Sequence, residues 1–269
     1  KGINVSRVLK TLDVDSTALG FSGGFPGDFI AQTLEDSNIQ SNFVQVDEDT
    51  RINVKLKSGQ ETEINAPGPK VTHAQFEQLL SQIRRTTNDD IVIVAGSVPN
   101  SIPSDAYAQI AQITEKTGAQ LVVDAEKDLV ETVLPYRPLF IKPNKDELEV
   151  MFNTTVKSDE DVIKYGKEIL KKGAQSVIIS LGGDGAIYVD QHQSIKAVNP
   201  QGHVVNTVGS GDSTVAGMVA GLSMGLNVDE AFQQAVASGT ATAFSEDLAT
   251  RDAIENIKSQ VTISVLDGE

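Results

Sequence analysis

The stretch NTVGSGDST, residues 206–214, sets Gly209, Ser210, Gly211 and Asp212 in one tight turn, and Val215, Met218, Val219 and Leu222 follow at i, i+3, i+4, i+7. That spacing is helical, so the turn lies at a helix N-terminus. Such an end carries outward N–H donors and partial positive charge, and glycines let an anion approach the backbone closely. Asp212 then has two readings. It is a first-turn acid that stabilises its own helix by about 0.3–1 kcal/mol, or it is a base beside an anion hole, placed to take a proton from a hydroxyl that attacks phosphorus.

Two further stretches bear on that choice. SLGGDGA, residues 180–186, joins two strand patterns, and its glycines would let a flat nucleotide or its phosphates lie against the backbone; as a bare hairpin turn it means little. IKPNKDELEV, residues 141–150, reads as a strand, Pro143 and then a helix with Asn144 and Glu147 on one face, three residues apart. Asn144 as an N-cap with Glu147 reaching back explains the pair. The alternative is that both hold water ligands of a Mg²⁺, which keeps most of its hydration shell.

The elements that must carry these groups alternate. Val5, Val8, Leu9 and Leu12 make a helical stripe before the strand-like STALGF, and Phe76, Leu79, Leu80 and Ile83 make another before IVIVAG. Tyr107, Ile110 and Ala111 precede QLVVDA, a short helix over residues 128–134 precedes LFIKP, and Val162, Tyr165, Gly166 and Ile169 precede SVIISLG. This alternation predicts a mostly parallel sheet with helices on both faces. SDED, residues 158–161, reads as a capping box. Residues 42–65 break the rhythm with short, partly alternating runs divided by DED and SGQE, a β-meander inserted on the α/β body. It is either a surface hairpin or a lid that excludes water from a transfer reaction. The division expected is a core of residues 1–41 and 66–269 and a lid of 42–65.

Composition limits the partners. The 269 residues carry 22 Lys+Arg against 37 Asp+Glu, a formal charge of −15, so the overall field repels nucleic acid and anionic membrane. Any anionic ligand must be held by local groups. No apolar run approaches the ~18 residues of a spanning helix. With no Cys, and with His73, His192 and His203 scattered, disulfides and thiol-ligated metal are excluded, and a reducing, cytoplasmic setting fits. No Ser–His–Asp or paired-carboxylate set competes with Asp212. The chain opens in mid-pattern at KGINVSRVLKTL, and an upstream segment is expected.

In order along the chain, KGINVSR, TRINVKL, GSVP, KPNKDEL, SLGGDGA and NTVGSGDST resemble the motifs of ribokinase-like sugar kinases of the phosphofructokinase-B type. The resemblance covers essentially the whole chain, and TRINVKL with AFSEDLATR, residues 243–251, is most similar to bacterial 1-phosphofructokinases. It implies a three-layer α/β/α sandwich with a β-sheet lid that often forms a homodimer contact. It implies Asp212 as catalytic base and Gly209, Ser210 and Gly211 as the anion hole for the transferring phosphoryl group. By the same resemblance Asn4 and Ser97 contact the sugar, and Arg51 and Lys1 bind the phosphate of a phosphosugar. Lys142, Asn144 and Glu147 match the region tied to Mg²⁺ and the nucleotide phosphates, and Ser180, Gly182 and Gly185 match the nucleotide loop. Ser245 stands where some members have Asn near adenine, and no residue before Lys1 supplies the family's sugar-binding Asp.

The expected activity is an ATP-dependent phosphosugar kinase that converts fructose 1-phosphate to fructose 1,6-bisphosphate. Tagatose-6-phosphate kinase and 6-phosphofructokinase activities are the alternatives, and a non-catalytic phosphosugar or nucleotide sensor is the alternative of another class. Arg51 in a lid strand also reads as a solvated face residue.

Overall fold

The structure, a computed structural model, describes residues 1–58 and 60–266. Gly59, inside the expected lid, and residues 267–269, at the end of the expected core, lie outside the described residues. Seven strands form the central sheet in the order Thr262–Val265, Ser194–Val198, Ala186–Val189, Val177–Ser180, Phe140–Ile141, Gln120–Asp124, Ile91–Ala95. The last four are parallel neighbours, and the first three continue the sheet antiparallel. Five of the seven therefore point the same way, as alternating helices and strands require.

Both faces are covered, and the strands show it residue by residue. Leu121, Val123, Val177 and Ile179 join one core, while Val122 and Ile178 join the other, because successive side chains leave a strand on opposite sides. The first core packs under helices His73–Ile83, Ala106–Thr117, Lys127–Val133, Lys145–Phe152 and Asp159–Lys171. The second lies under Gly2–Thr11, Ser210–Ser223, Val228–Ala243 and Arg251–Lys258. Side chains such as Phe140, Ile141 and Ile178 are fully buried, each worth about 1.5–3 kcal/mol of hydrophobic transfer. Helix Ser210–Ser223 lies so close to Val228–Ala243 that a Cβ on Gly217 would come within 2.8 Å of Ala235 Cα. Glycine is what lets these two helices meet.

The expected meander divides. Val54–Ser58 and Gln60–Ile64 pair antiparallel, with Val54 opposite Ile64 and Leu56 opposite Thr62. Val54, Leu56 and Ile64 are 48%, 53% and 60% exposed, so this hairpin shows water an apolar face. The earlier run behaves differently from the expectation: Val44–Gln45 pairs in parallel with Phe21–Ser22, and Val44 and Val46 are buried in the first core beside Phe76. Burial of two valines decides this, since an exposed meander strand would leave them in water. The SDED cap also closes differently. Ser158 accepts the Asp161 N–H, but the Asp161 carboxylate reaches the N–H of Lys157, one residue before the cap.

Candidate active site

Helix Ser210–Ser223 begins at Gly209, whose φ of +83° is left-handed and suits glycine. A Cβ there would also meet Leu248 Cδ2 at 2.7 Å and Asn4 Nδ2 at 3.5 Å. Ser213 N–H donates to the Gly209 carbonyl, closing the first turn. Ser210 N–H donates to Thr207 at 3.2 Å, so it is already engaged in this structure. The N–H groups of Gly211 and Asp212, ahead of the first i→i−4 bond, have no carbonyl partner among the described residues. Lys142 Nζ would lie 3.3 Å from a Cβ on Gly211, which brings an ammonium to the same helix end.

Asp212 is 6% exposed, and its Oδ2 accepts a 2.8 Å hydrogen bond from Asn4 Nδ2. Asn4 comes from helix Gly2–Thr11, 208 residues away, which also carries Lys1 at its cap. The Lys1 backbone nitrogen lies 3.9 Å from the same carboxylate oxygen. Asp124, which the sequence motifs do not single out, joins the two lysines: Oδ2 meets Lys1 Nζ at 3.1 Å, and Oδ1 meets Lys142 Nζ at 3.3 Å. Burial opposes charge on Lys1, but Asp124, then Asp212 and Glu147, outweigh it and hold the ammonium above its ordinary value. Burial, then the Asp124 charge, also pushes the Tyr107 phenol well above its ordinary value. Asp124 and Lys142 sit at the carboxyl ends of adjacent parallel strands, where ligands of open α/β sheets bind. An acid ending the apolar run QLVVDA is the signal that could have found Asp124.

Asn144 and Glu147 form the capping box: Glu147 N–H donates to Asn144 Oδ1, and Asn144 N–H donates to Glu147 Oε2, each at 2.8 Å. A parallel bridge sets Asn144 beside Ser180. Gly182 and Gly185 have φ of +62° and +93°; a Cβ on Gly185 would strike the Ala197 carbonyl, while Gly182 faces open space. Asn199, also missed in the sequence, donates to the Gly182 carbonyl at 3.0 Å and accepts from Thr240, tying the loop to helix Val228–Ala243. A cleft of about 290 Å³ borders the loop, with Lys145, Gly183, Lys196 and Asn199 in its walls. Ser245 Oγ donates to Ala241 O at 2.8 Å, so its hydroxyl proton is bound within its own helix end.

Arg51 donates from Nη2 to Ser97 Oγ at 3.1 Å and from Nη1 to Ala66 O at 3.2 Å. Arg51 is exposed, as a solvated residue would be, yet these two bonds tie its guanidinium to Ser97 and Ala66. Arg51, Ser97 and Lys70 line a cleft of about 470 Å³. Gly96, the neighbour of Ser97, lies within 3.9 Å of Lys1 for a Cβ, which connects this cleft to the Asp124 and Asp212 cluster. Lys1, Asn4, Lys142, Gly209, Gly211 and Asp212 come together, Arg51 and Ser97 adjoin them, and Asn144 and Ser180 form a third group. Such a site has a buried carboxylate for a proton and N–H groups and cations for an anion, as phosphoryl transfer demands.

The Lys142–Asp124 pair is almost wholly buried, at 6% and 5% side-chain exposure. Breaking such a pair costs about 3–5 kcal/mol because one charge stays buried alone. Urea unfolding of Asp124→Ala is expected to show a loss of that size. A loss below about 1 kcal/mol, the range of exposed pairs, would mean that Lys142 reaches water and the pair does not organise the site.

The sequence pattern of the pfkB family carbohydrate kinases matches residues 1–253. The chain is 44% identical over 266 residues to 1-phosphofructokinase of Bacillus subtilis, covering 99% of this chain and 88% of that one. It is 38% identical over 267 residues to D-tagatose-1-phosphate kinase of Bacillus licheniformis, with 99% and 88% covered. A crystal structure from Staphylococcus aureus, provisionally described as a phosphofructokinase, is 81% identical with a TM-score of 0.92 and covers 99% of this chain and 87% of that one. With the pattern matched over most of its length and relatives matched nearly end to end, the chain belongs to the pfkB family of carbohydrate kinases.

Proposed function

We propose that the protein is a 1-phosphofructokinase that transfers the γ-phosphoryl group of ATP to the 6-hydroxyl of fructose 1-phosphate. The observation that carries the reading is Asp212, buried at a helix N-terminus and held by Asn4 beside Lys142. Asp212 takes the 6-hydroxyl proton as that oxygen bonds to the γ-phosphorus. The bond from phosphorus to the β,γ-bridging oxygen breaks, and ADP leaves with the electron pair. The Gly211 and Asp212 N–H groups, with Lys142, neutralise the charge on the moving phosphoryl oxygens. Gly209 and Ser210 shape that turn. Lys1, Asn4, Arg51 and Ser97 hold the phosphosugar, with Arg51 forked on its 1-phosphate. Asn144, Ser180, Gly182 and Gly185 line the nucleotide path, which ends near Ser245.

Among the described residues no group of three or more His, Cys, Asp or Glu gathers to hold a metal. Mg²⁺ does not need one, since it takes one or two carboxylates, several waters and the substrate phosphates. Glu147 gives one oxygen to the Asn144 N–H and has a second to offer, so the pair fits a hydrated Mg²⁺. The ion would supply positive charge to the nucleotide phosphates. A cytoplasmic location follows from the substrates of this reading; no helix among the described residues is long and apolar enough to cross a membrane.

Two relatives act by name on sugar 1-phosphates, and this supports the 1-phosphate over tagatose 6-phosphate or fructose 6-phosphate. An intact Asp212 argues against a non-catalytic sensor. ADP release measured with the three phosphosugars is expected to give fructose 1-phosphate the highest kcat/KM. A tenfold preference for either rival, about 1.4 kcal/mol in transition-state binding, sinks the substrate assignment. In the same assay Asp212→Asn is expected to cost about 10²–10⁴-fold in kcat, and near-normal turnover returns Asp212 to a helix-capping role.

The lid completes the proposal. A two-stranded hairpin is marginal in water, and pairing the exposed Val54, Leu56 and Ile64 with those of a second copy would bury both faces. Light scattering is expected to give twice the 28.7 kDa chain mass and Leu56→Lys to give a monomer. A monomeric parent at micromolar concentration rules out the lid contact.

A further inference from the structure

AFSEDLATR supplies only Ser245 to the proposed site, yet its middle touches the catalytic turn. Leu248 Cδ2 and Asn4 Nδ2 both crowd the space that a Cβ on Gly209 would fill, at 2.7 Å and 3.5 Å from it. Leu248 is itself held. Its N–H donates to Asp247 Oδ1 at 2.7 Å, and Asp247 receives both arms of Arg7, Nη1 to Oδ1 at 3.2 Å and Nη2 to Oδ2 at 2.7 Å. The Arg7 hydrogen bonds, then the Leu248 N–H, hold the Asp247 carboxyl below its ordinary value. Arg7 and Asn4 are three residues apart on helix Gly2–Thr11, so they share a face. On the far side of the segment the Ala249 N–H donates to Thr242 Oγ1, which also meets Ser213 Oγ of the catalytic helix at 2.9 Å.

We infer that helix Gly2–Thr11 grips the catalytic turn at two points, Asn4 on Asp212 and Arg7 through Asp247 and Leu248 on Gly209, and that Arg7, Asp247 and Leu248 are positioning residues for phosphoryl transfer. This rests on the kinase reading of the same site. Arg7 and Asp247 are 40% and 70% exposed, and ion pairs so exposed add little to stability. What the forked pair supplies is direction: it sets the backbone from which Leu248 reaches Gly209. Gly209 leads into the N–H donors of Gly211 and Asp212, so a shift of Leu248 passes straight to the phosphoryl cradle. Misplacement on the scale of an ångström is enough to slow a positioned reaction greatly.

The test is a double-mutant cycle on Arg7→Ala and Asp247→Ala, read on the phosphosugar that the parent enzyme turns over best. Each single variant is expected to lower kcat about tenfold, with KM for both substrates within about twofold, because the loss falls on the transition state and not on uniform binding. The double variant is expected to be no worse than the worse single one, as for two residues acting through one contact. Leu248→Ala is expected to show the same split between kcat and KM, with Leu248→Met, which keeps the bulk, restoring most of it. Melting temperatures of the Arg7 and Asp247 variants are expected to stay near that of the parent. Single variants with kcat within twofold of the parent, losses that multiply in the double variant, or a kcat loss matched by a melting loss in every variant would each overturn the assignment. If an alanine variant does not fold, Arg7→Lys and Asp247→Asn give the same ratios. A parent chain that turns over no phosphosugar is a different result and removes the kinase reading itself.

Discussion

The constraint on which this structure turns is the N-terminus of helix Ser210–Ser223, where a half-buried glycine turn runs into a buried helix. A helix end carries unsatisfied donors and partial positive charge, and this one meets a carboxylate, Asp212, that is 6% exposed. In a chain with formal charge −15, long-range attraction cannot bring a phosphate to this point. The attraction must be built locally, and Lys142 beside Gly211 with Lys1 beyond Asp124 builds it. Asp124 stands between the two lysine side chains and fixes them, while Asp212 accepts its side-chain hydrogen bond from the neutral amide of Asn4.

The rest of the fold supports that helix end. Two layers of helices bury both faces of the sheet, so strand ends rather than strand faces are open to a ligand. Glycines at 217 and 221 bring Val228–Ala243 close along helix Ser210–Ser223. Helix Gly2–Thr11 comes from the opposite end of the chain and touches the same turn. The cleft by Arg51 and Ser97 and the cleft by the glycine loop share no lining residue, so they are two separate openings.

Much of this is legible in the sequence. Helical stripes alternating with strand patterns announce the layered fold, and the glycine turn ahead of Val215, Met218 and Val219 announces the helix end. Asn144 and Glu147 are legible as a capping pair because a cap is a local interaction, closed within four residues. What cannot be read is long-range. Asp124 acts by joining residues 123 positions upstream and 18 downstream, and nothing in its local pattern states that pairing. The contact of Leu248 with Gly209 and the pairing of Val44 with Phe21 are likewise decided by packing across the fold. The sequence leads one to expect Ser210 to offer its N–H to an anion, and the turn in which Thr207 takes it has no sequence signal of its own.

On the kinase reading, Asp212 moves a proton and never bonds to phosphorus. A nucleophilic carboxylate would form a phosphoenzyme and transfer the group in two displacements, whereas a base allows one in-line displacement. The measurement that separates them is the configuration at phosphorus after transfer from ATP made chiral at its γ-phosphoryl group with oxygen isotopes, read by phosphorus NMR of the product. A single displacement assisted by Asp212 predicts inversion. Retention would mean two displacements through a covalent intermediate, and would contradict the role of the carboxylate at the helix end as a base.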